Sequence, residues 1–148
     1  MKKMIAFFIA ATTLLTFKYY KQDNFYPFYH FDEMTVIADE QFPLGEDKIQ
    51  SGDEYFYTLS REEGKAFVEN IKDYSFFGFV FHYQNKDIEF LNEYDVSEKT
   101  SVEGRDVYYG YYSGYNDFYF HKGKKVNFQA VVKEDELIVG FPIILTGF

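Results

Sequence analysis

The chain of 148 residues has no cysteine and no tryptophan, and only three prolines and three histidines. Without cysteine there is no disulfide framework, no zinc–thiolate site, no thiol nucleophile and no lipid-modified N-terminal cysteine. Stability must come from packing. Basic residues are scarce as well, with 15 Lys and Arg against 24 Asp and Glu. From residue 22 onward the balance is eleven against twenty-four, a formal charge of −13. That field repels nucleic acid and anionic lipid, which are bound through Lys and Arg contacts to phosphate, and it attracts cationic partners. No nucleic-acid partner is expected. Also missing are the G-x-S-x-G, H-E-x-x-H, P-loop and dinucleotide-binding patterns, so no catalytic or cofactor-binding residue is assigned.

What the chain has is a charged-then-apolar N-terminus. Lys2 and Lys3 precede an uncharged run from Met4 to Phe17, and Lys18 closes it. This is the pattern of an export signal, and it places the remainder outside the cytoplasm. The 14 residues of the run make about 21 Å of helix, short of a hydrocarbon core of about 30 Å. Length therefore favours a signal peptide. The exit, Leu15-Thr16-Phe17-Lys18-Tyr19-Tyr20-Lys21, lacks the small residues that cleavage requires. Lysines at both ends can snorkel and the two tyrosines suit the headgroup layer, so an uncleaved membrane anchor is the favoured reading over secretion. Residues 1–21 are thus read as signal peptide or anchor, and 22–148 as one extracytoplasmic domain, long enough for a core of its own.

Nineteen Phe and fifteen Tyr dominate the apolar content, and aromatic residues favour strands. Residues 22–33, with Pro27, read as a tether or broken edge strand. Strands are expected at 34–38 and 55–59, with a polar loop over 39–52 between them. Ser60-Arg61-Glu62-Glu63 has the spacing of a capping box, and Ala66, Phe67 and Ile71 follow at helical spacing, so a helix is expected over 60–72. Phe76–Tyr83 is apolar on both faces and reads as a central strand. A turn at 84–87 leads to a strand at 88–94. The polar segment 95–106 is expected to be a mobile connection. Further strands are expected at 107–112, 118–121, 126–133 and 137–146. The fold class expected is α+β: an antiparallel β-sheet with one main α-helix packed on a face, preceded by an N-terminal hydrophobic helix.

Candidate chemistry is sparse. His30 and Asp32 alternate and would share a strand face, but two ligands do not make a metal site. His82 lies in an apolar strand, where a core histidine with a satisfied ring nitrogen is expected rather than a ligand. His121 adjoins a hairpin and reads as surface. Asp87, Glu89 and Glu93 would form a same-face row of carboxylates on the 88–94 strand, read as solvated because no EF-hand loop accompanies it. No metal site and no cofactor are assigned. The most distinctive candidate interaction surface is the run Tyr108, Tyr109, Tyr111, Tyr112 and Tyr115. On a strand Tyr109 and Tyr111 share one face and Tyr108 and Tyr112 the other. Tyrosine brings a large contact area at little entropy cost, which suits a protein or glycan partner, while cross-strand packing is the competing use of the same rings.

The last third of the chain contains Tyr112-Ser113-Gly114-Tyr115, then Gly123-Lys124-Lys125, then Asn127-Phe128-Gln129 with Lys133, and ends Gly140-Phe141-Pro142-Ile143-Ile144-Leu145-Thr146-Gly147-Phe148. In order and spacing residues 108–148 resemble the C-terminal part of the YwmB family, exported proteins of spore-forming Gram-positive bacteria. Gly114 stands where that family has Pro, Phe141 where it has Thr, and Gly147-Phe148 where it closes with Glu-Tyr. The family is also longer. The resemblance implies a fold like that of the TATA-box-binding protein and supplies no catalytic residues. DNA binding does not follow from it, given the charge and the expected compartment. The expected function is a non-enzymatic, extracytoplasmic binding domain of the cell envelope, in contact with the membrane through its N-terminal segment. The alternatives are an acidic inhibitor or immunity protein against a cationic toxin or enzyme and, last, a small envelope hydrolase.

Overall fold

The computed structural model describes residues 23–45, 47–84, 88–142 and 144. The expected anchor and hydrophobic helix at 1–21 lie outside the described residues. Eight strands form one sheet that is antiparallel at every pairing: β1 (Glu33–Ala38), β2 (Asp47–Ser51), β3 (Glu54–Ser60), β4 (Phe76–Gln84), β5 (Asp95–Val102), β6 (Arg105–Tyr111), β9 (Phe128–Lys133) and β10 (Glu136–Phe141). Their order is β2-β3-β1-β4-β10-β9-β6-β5, and β7 (Tyr119–His121) pairs with β8 (Lys124–Val126) in a separate hairpin. The one α-helix among the described residues, α1 (Arg61–Glu69), links β3 to β4. Both strands run antiparallel to β1 between them, so they are mutually parallel and α1 is the crossover of a split β-α-β unit. The α+β expectation holds: an antiparallel sheet with one helix packed on it.

Alternation along the strands sends one set of side chains to a continuous aromatic core. Val36 and Ala38 of β1, Tyr57 and Leu59 of β3, Phe79 and Phe81 of β4, Val139 and Phe141 of β10, and Phe128 of β9 are all buried there. Over them lies the segment before β1, where Tyr26–Phe28 forms a 3-10 turn with Pro27 near its start. Residues three apart eclipse in such a turn, which helps bring Phe25, Phe28 and Phe31 into the core. Phe25 and Phe28 each meet Phe141 edge-on at 5.1 Å, and Phe31 stacks on Phe81 at 4.8 Å. The expected tether is therefore a core segment. Pro27 ends a strand pattern without exposing the rings.

The capping box at α1 is formed as its sequence suggests. Glu63 N donates to Ser60 Oγ at 3.4 Å, and Ser60 N donates to Glu63 Oε2 at 2.9 Å. The helix stops at Glu69, earlier than expected, and a 3-10 turn over Ile71–Asp73 carries the chain back to the sheet. A Cβ on Gly64 would lie 2.8 Å from Phe31 Cζ and 3.1 Å from Met34 Sδ. This glycine lets the helix lie close against the core.

Three expectations are corrected. Residues 39–52 are not one loop: Asp47–Ser51 pairs with β3, turning at Gly52, whose φ is 62°. Residues 95–106 are not a mobile connection: Asp95–Val102 pairs along β6 through a turn at Glu103-Gly104, both with positive φ. Backbone pairing at a sheet edge needs no apolar side chains, so a polar composition misleads there. Finally, Ile88–Glu93 is a 3-10 helix rather than a strand, so the strand expected to carry Glu89 in a carboxylate row is not there, and Asp87 lies outside the described residues. The closing strand β10 lies between β4 and β9. Pro142 falls just beyond its last residue, where a missing donor leaves no gap in the ladder. Among the described residues no helix is long and apolar enough to cross a membrane.

Candidate functional site

The tyrosine run straddles the sheet. Tyr108 and Tyr112 pack against the aromatic core, and Lys99 Nζ lies 5.4 Å from the centre of the Tyr108 ring. Tyr109 lies on the other face, stacked on His121 at 4.5 Å and 6°. Tyr111 is half-buried at the end of β6. Tyr115 is only 3% exposed, its ring between Phe25 and Phe141 and its hydroxyl donating to Asp117 Oδ2 at 3.3 Å. Burial raises the phenol pKa of Tyr112 and, much more, that of Tyr115, where the Asp117 and Asp23 charges add to the effect. The alternation expected for Tyr108 and Tyr109 is observed, and most of this aromatic area serves packing.

The turn after β6 is fastened by Asn127, which is fully buried. Its Oδ1 accepts from Tyr112 N at 2.7 Å, and its Nδ2 donates to Tyr112 O at 2.8 Å and Tyr115 O at 3.0 Å. The β7–β8 hairpin then folds onto the second face of the sheet. Glu98 of β5 accepts from Lys122 Nζ, and its other oxygen lies 3.5 Å from His121 Nε2. Those two partners, the lysine foremost, hold the Glu98 carboxyl below the usual carboxylate range. Burial on the inner side of the hairpin, with the Tyr109 phenol adding to it, pushes the Tyr119 phenol up to about 12. His121 is thus enclosed against Tyr109 rather than lying free on the surface, its ring stacked flat on that tyrosine.

The other histidines have separate settings. His82, half-buried on the second face, has Nδ1 2.8 Å from Glu136 Oε1 and Nε2 3.1 Å from Thr35 Oγ1. The satisfied ring expected from sequence is present. The order hydroxyl–imidazole–carboxylate resembles an acyl-transfer triad. However, β1, β4 and β10 are each paired on both sides, which commits their backbone N–H groups to ladders and leaves no oxyanion donors among them. The arrangement is a cross-strand network. His30 is exposed, whereas Asp32 bonds Arg61 Nη2 at 3.0 Å and Gln84 N at 2.8 Å, so this pair is not a ligand set. Among the described residues no three His, Asp or Glu cluster as metal ligands.

The feature that composition concealed is the β2 edge. All five of its residues are exposed, and among the described residues it pairs only with β3. Ile49 is 70% exposed in the middle of it, directly across from the half-buried Phe56. Around it the segment 39–54 carries six acidic residues and one lysine, Lys48, whose ammonium lies 5.6 Å from the Tyr55 ring centre. Alternation of Lys48 and Gln50 with Ile49, ahead of Gly52-Asp53, was the available signal. An unpaired edge with an apolar residue at its centre can accept a further strand. No family model, curated protein or solved structure matches this chain.

Proposed function

We propose that this chain is a non-enzymatic binding domain of the bacterial cell envelope, YwmB-like, held at the membrane by its N-terminal segment, and that it takes a basic protein partner at the β2 edge. The observation that carries the reading is Ile49, 70% exposed at the centre of an edge strand whose outer side has no partner among the described residues. Natural edges are usually blunted by central charge, proline or a bulge. Here Asp47 and Lys48 precede the apolar Ile49, and Asp53 and Glu54 follow only beyond the strand, so the centre of the edge is left uncharged for a strand-adding partner. Main-chain hydrogen bonds would supply affinity, and Ile49 with Phe56 an apolar seat. The six acids of segment 39–54 would select a cationic segment and speed its encounter. Engagement of Tyr109 by His121 and of Tyr115 by the core favours a protein over a glycan. The same acidic rim supports the second reading, an inhibitor or immunity protein whose partner is a cationic toxin or enzyme.

Affinity capture from whole envelopes by the full chain, beside an Ile49→Lys variant, tests the proposal. The wild type should retain a basic protein that the variant loses, with both melting alike because the replaced side chain is exposed. A partner retained equally by the variant, or an acidic one, overturns it.

A further inference from the structure

The described chain begins at a fixed corner of the domain. Asn116 donates to Asp23 Oδ1 from its backbone at 2.9 Å and from Nδ2 at 2.6 Å, and Asn24 N donates to Gly114 O at 2.7 Å. Asp23 is two residues past the expected anchor in sequence, and Phe118 lies at most about 7 Å of extended chain from Asn116. Phe118 and Phe120 are 43% and 66% exposed on the β7–β8 hairpin, their rings edge-to-face at 5.6 Å. They alternate with Tyr119 and His121, whose side chains turn toward the sheet, so both point outward. Lys125, opposite Phe120 in register, holds its ammonium 4.3 Å from the centre of the Phe118 ring. Tyr26, three residues past the same corner, is another strongly exposed ring. Residues 118–126 contain three lysines and no acid, in a domain of opposite net charge.

We infer that the β7–β8 hairpin is a second membrane contact, laying Phe118 and Phe120 into the interface of the bilayer that holds the N-terminal segment. The inference rests on the anchor reading in the proposed function. Two phenylalanines with lysine beside them match the amphipathic chemistry of interfacial segments. The acidic remainder does not prevent it: Glu98 is engaged by Lys122 and Asp117 by the Tyr115 hydroxyl, and charges beyond about 8 Å are largely screened at physiological salt. Two rings alone would bind a bilayer weakly, but a tether a few residues long makes the contact intramolecular and raises its effective concentration. The β2 edge belongs to the opposite end of the sheet from β6, against which the hairpin folds, so it would remain free for a partner.

The absence of tryptophan makes the test clean. Full-length Phe120→Trp, Phe118→Trp and Ile49→Trp proteins are reconstituted in nanodiscs of ordinary and of bromine-labelled phosphatidylcholine. The inference expects blue-shifted emission, quenched by the bromolipid, at positions 118 and 120, and red, unquenched emission at 49. Protein that co-migrates with the discs while positions 118 and 120 remain red and unquenched overturns the membrane contact and leaves the anchor intact. Those rings would then be free for a protein partner. Protein that fails to co-migrate overturns the anchor reading, and the inference with it.

Discussion

Single side chains decide how close the layers come. Gly64 would be a candidate for stabilisation on helix propensity alone, since alanine is favoured by about 1 kcal/mol in a helix interior. Its Cβ would sit 2.8 Å from the Phe31 ring, and that ring is pinned against Phe81. Gly64→Ala is therefore expected to lower stability by about 1–2 kcal/mol through overpacking, read as a lower denaturation midpoint. Asn127→Ala should cost more, about 3 kcal/mol, because it strands two carbonyls and an amide in or near the core. Calorimetry of the variant gives the number. Ser60→Ala removes the cap acceptor and should cost about 1 kcal/mol. Of these three, only the cap was legible in the sequence, since a capping box is local. The roles of Gly64 and Asn127 depend on segments 30 and 12 residues away.

Elements were legible where side-chain pattern and pairing agreed. β1, β3, β4, β6 and β10 carry apolar residues toward the core, and α1 carries its start signal. β2 and β5, the two edges of the sheet, have the sequence character of loops because their ladders are made by backbone and their side chains are mostly polar. The 88–94 segment failed in the opposite sense: its apolar residues follow no sustained alternation, and a 3-10 turn brings Leu91 into the core. Since β10 is flanked by β4 and β9, deletion of residues 137–148 removes an interior strand together with the buried Leu137, Val139 and Phe141. Side chains of that kind contribute about 1.5–3 kcal/mol each, a large share of the roughly 5–15 kcal/mol that stabilises a domain. The truncated chain should be insoluble or lack a cooperative melt; a dispersed spectrum would refute this account of the core.

At the scale of the molecule, buried and half-buried tyrosines tie stability to alkaline pH. Burial raises the phenol pKa of Tyr83, Tyr115 and Tyr119, the last to about 12. In the unfolded chain these phenols release protons near pH 10. Above that pH the unfolded state binds fewer protons than the native one, so stability is full below about pH 10 and declines as pH rises through the raised values. Denaturant midpoints should therefore fall from about pH 9 to about pH 11, and a Tyr115→Phe variant should lose part of that dependence. The binding reading also belongs to this scale, because it needs the sheet, its edges and its charge together. Sequence suggested an acidic, aromatic binding domain through composition, but pointed to the tyrosine run because exposure cannot be read from a pattern that serves packing equally well. The central claim is strand addition at β2. Hydrogen exchange of the full-length chain, alone and bound to the basic protein it captures, measures it directly. The account predicts slowed exchange at the amides of Asp47–Ser51 with the β5 edge unchanged; unchanged exchange in β2, with protection elsewhere, would contradict it.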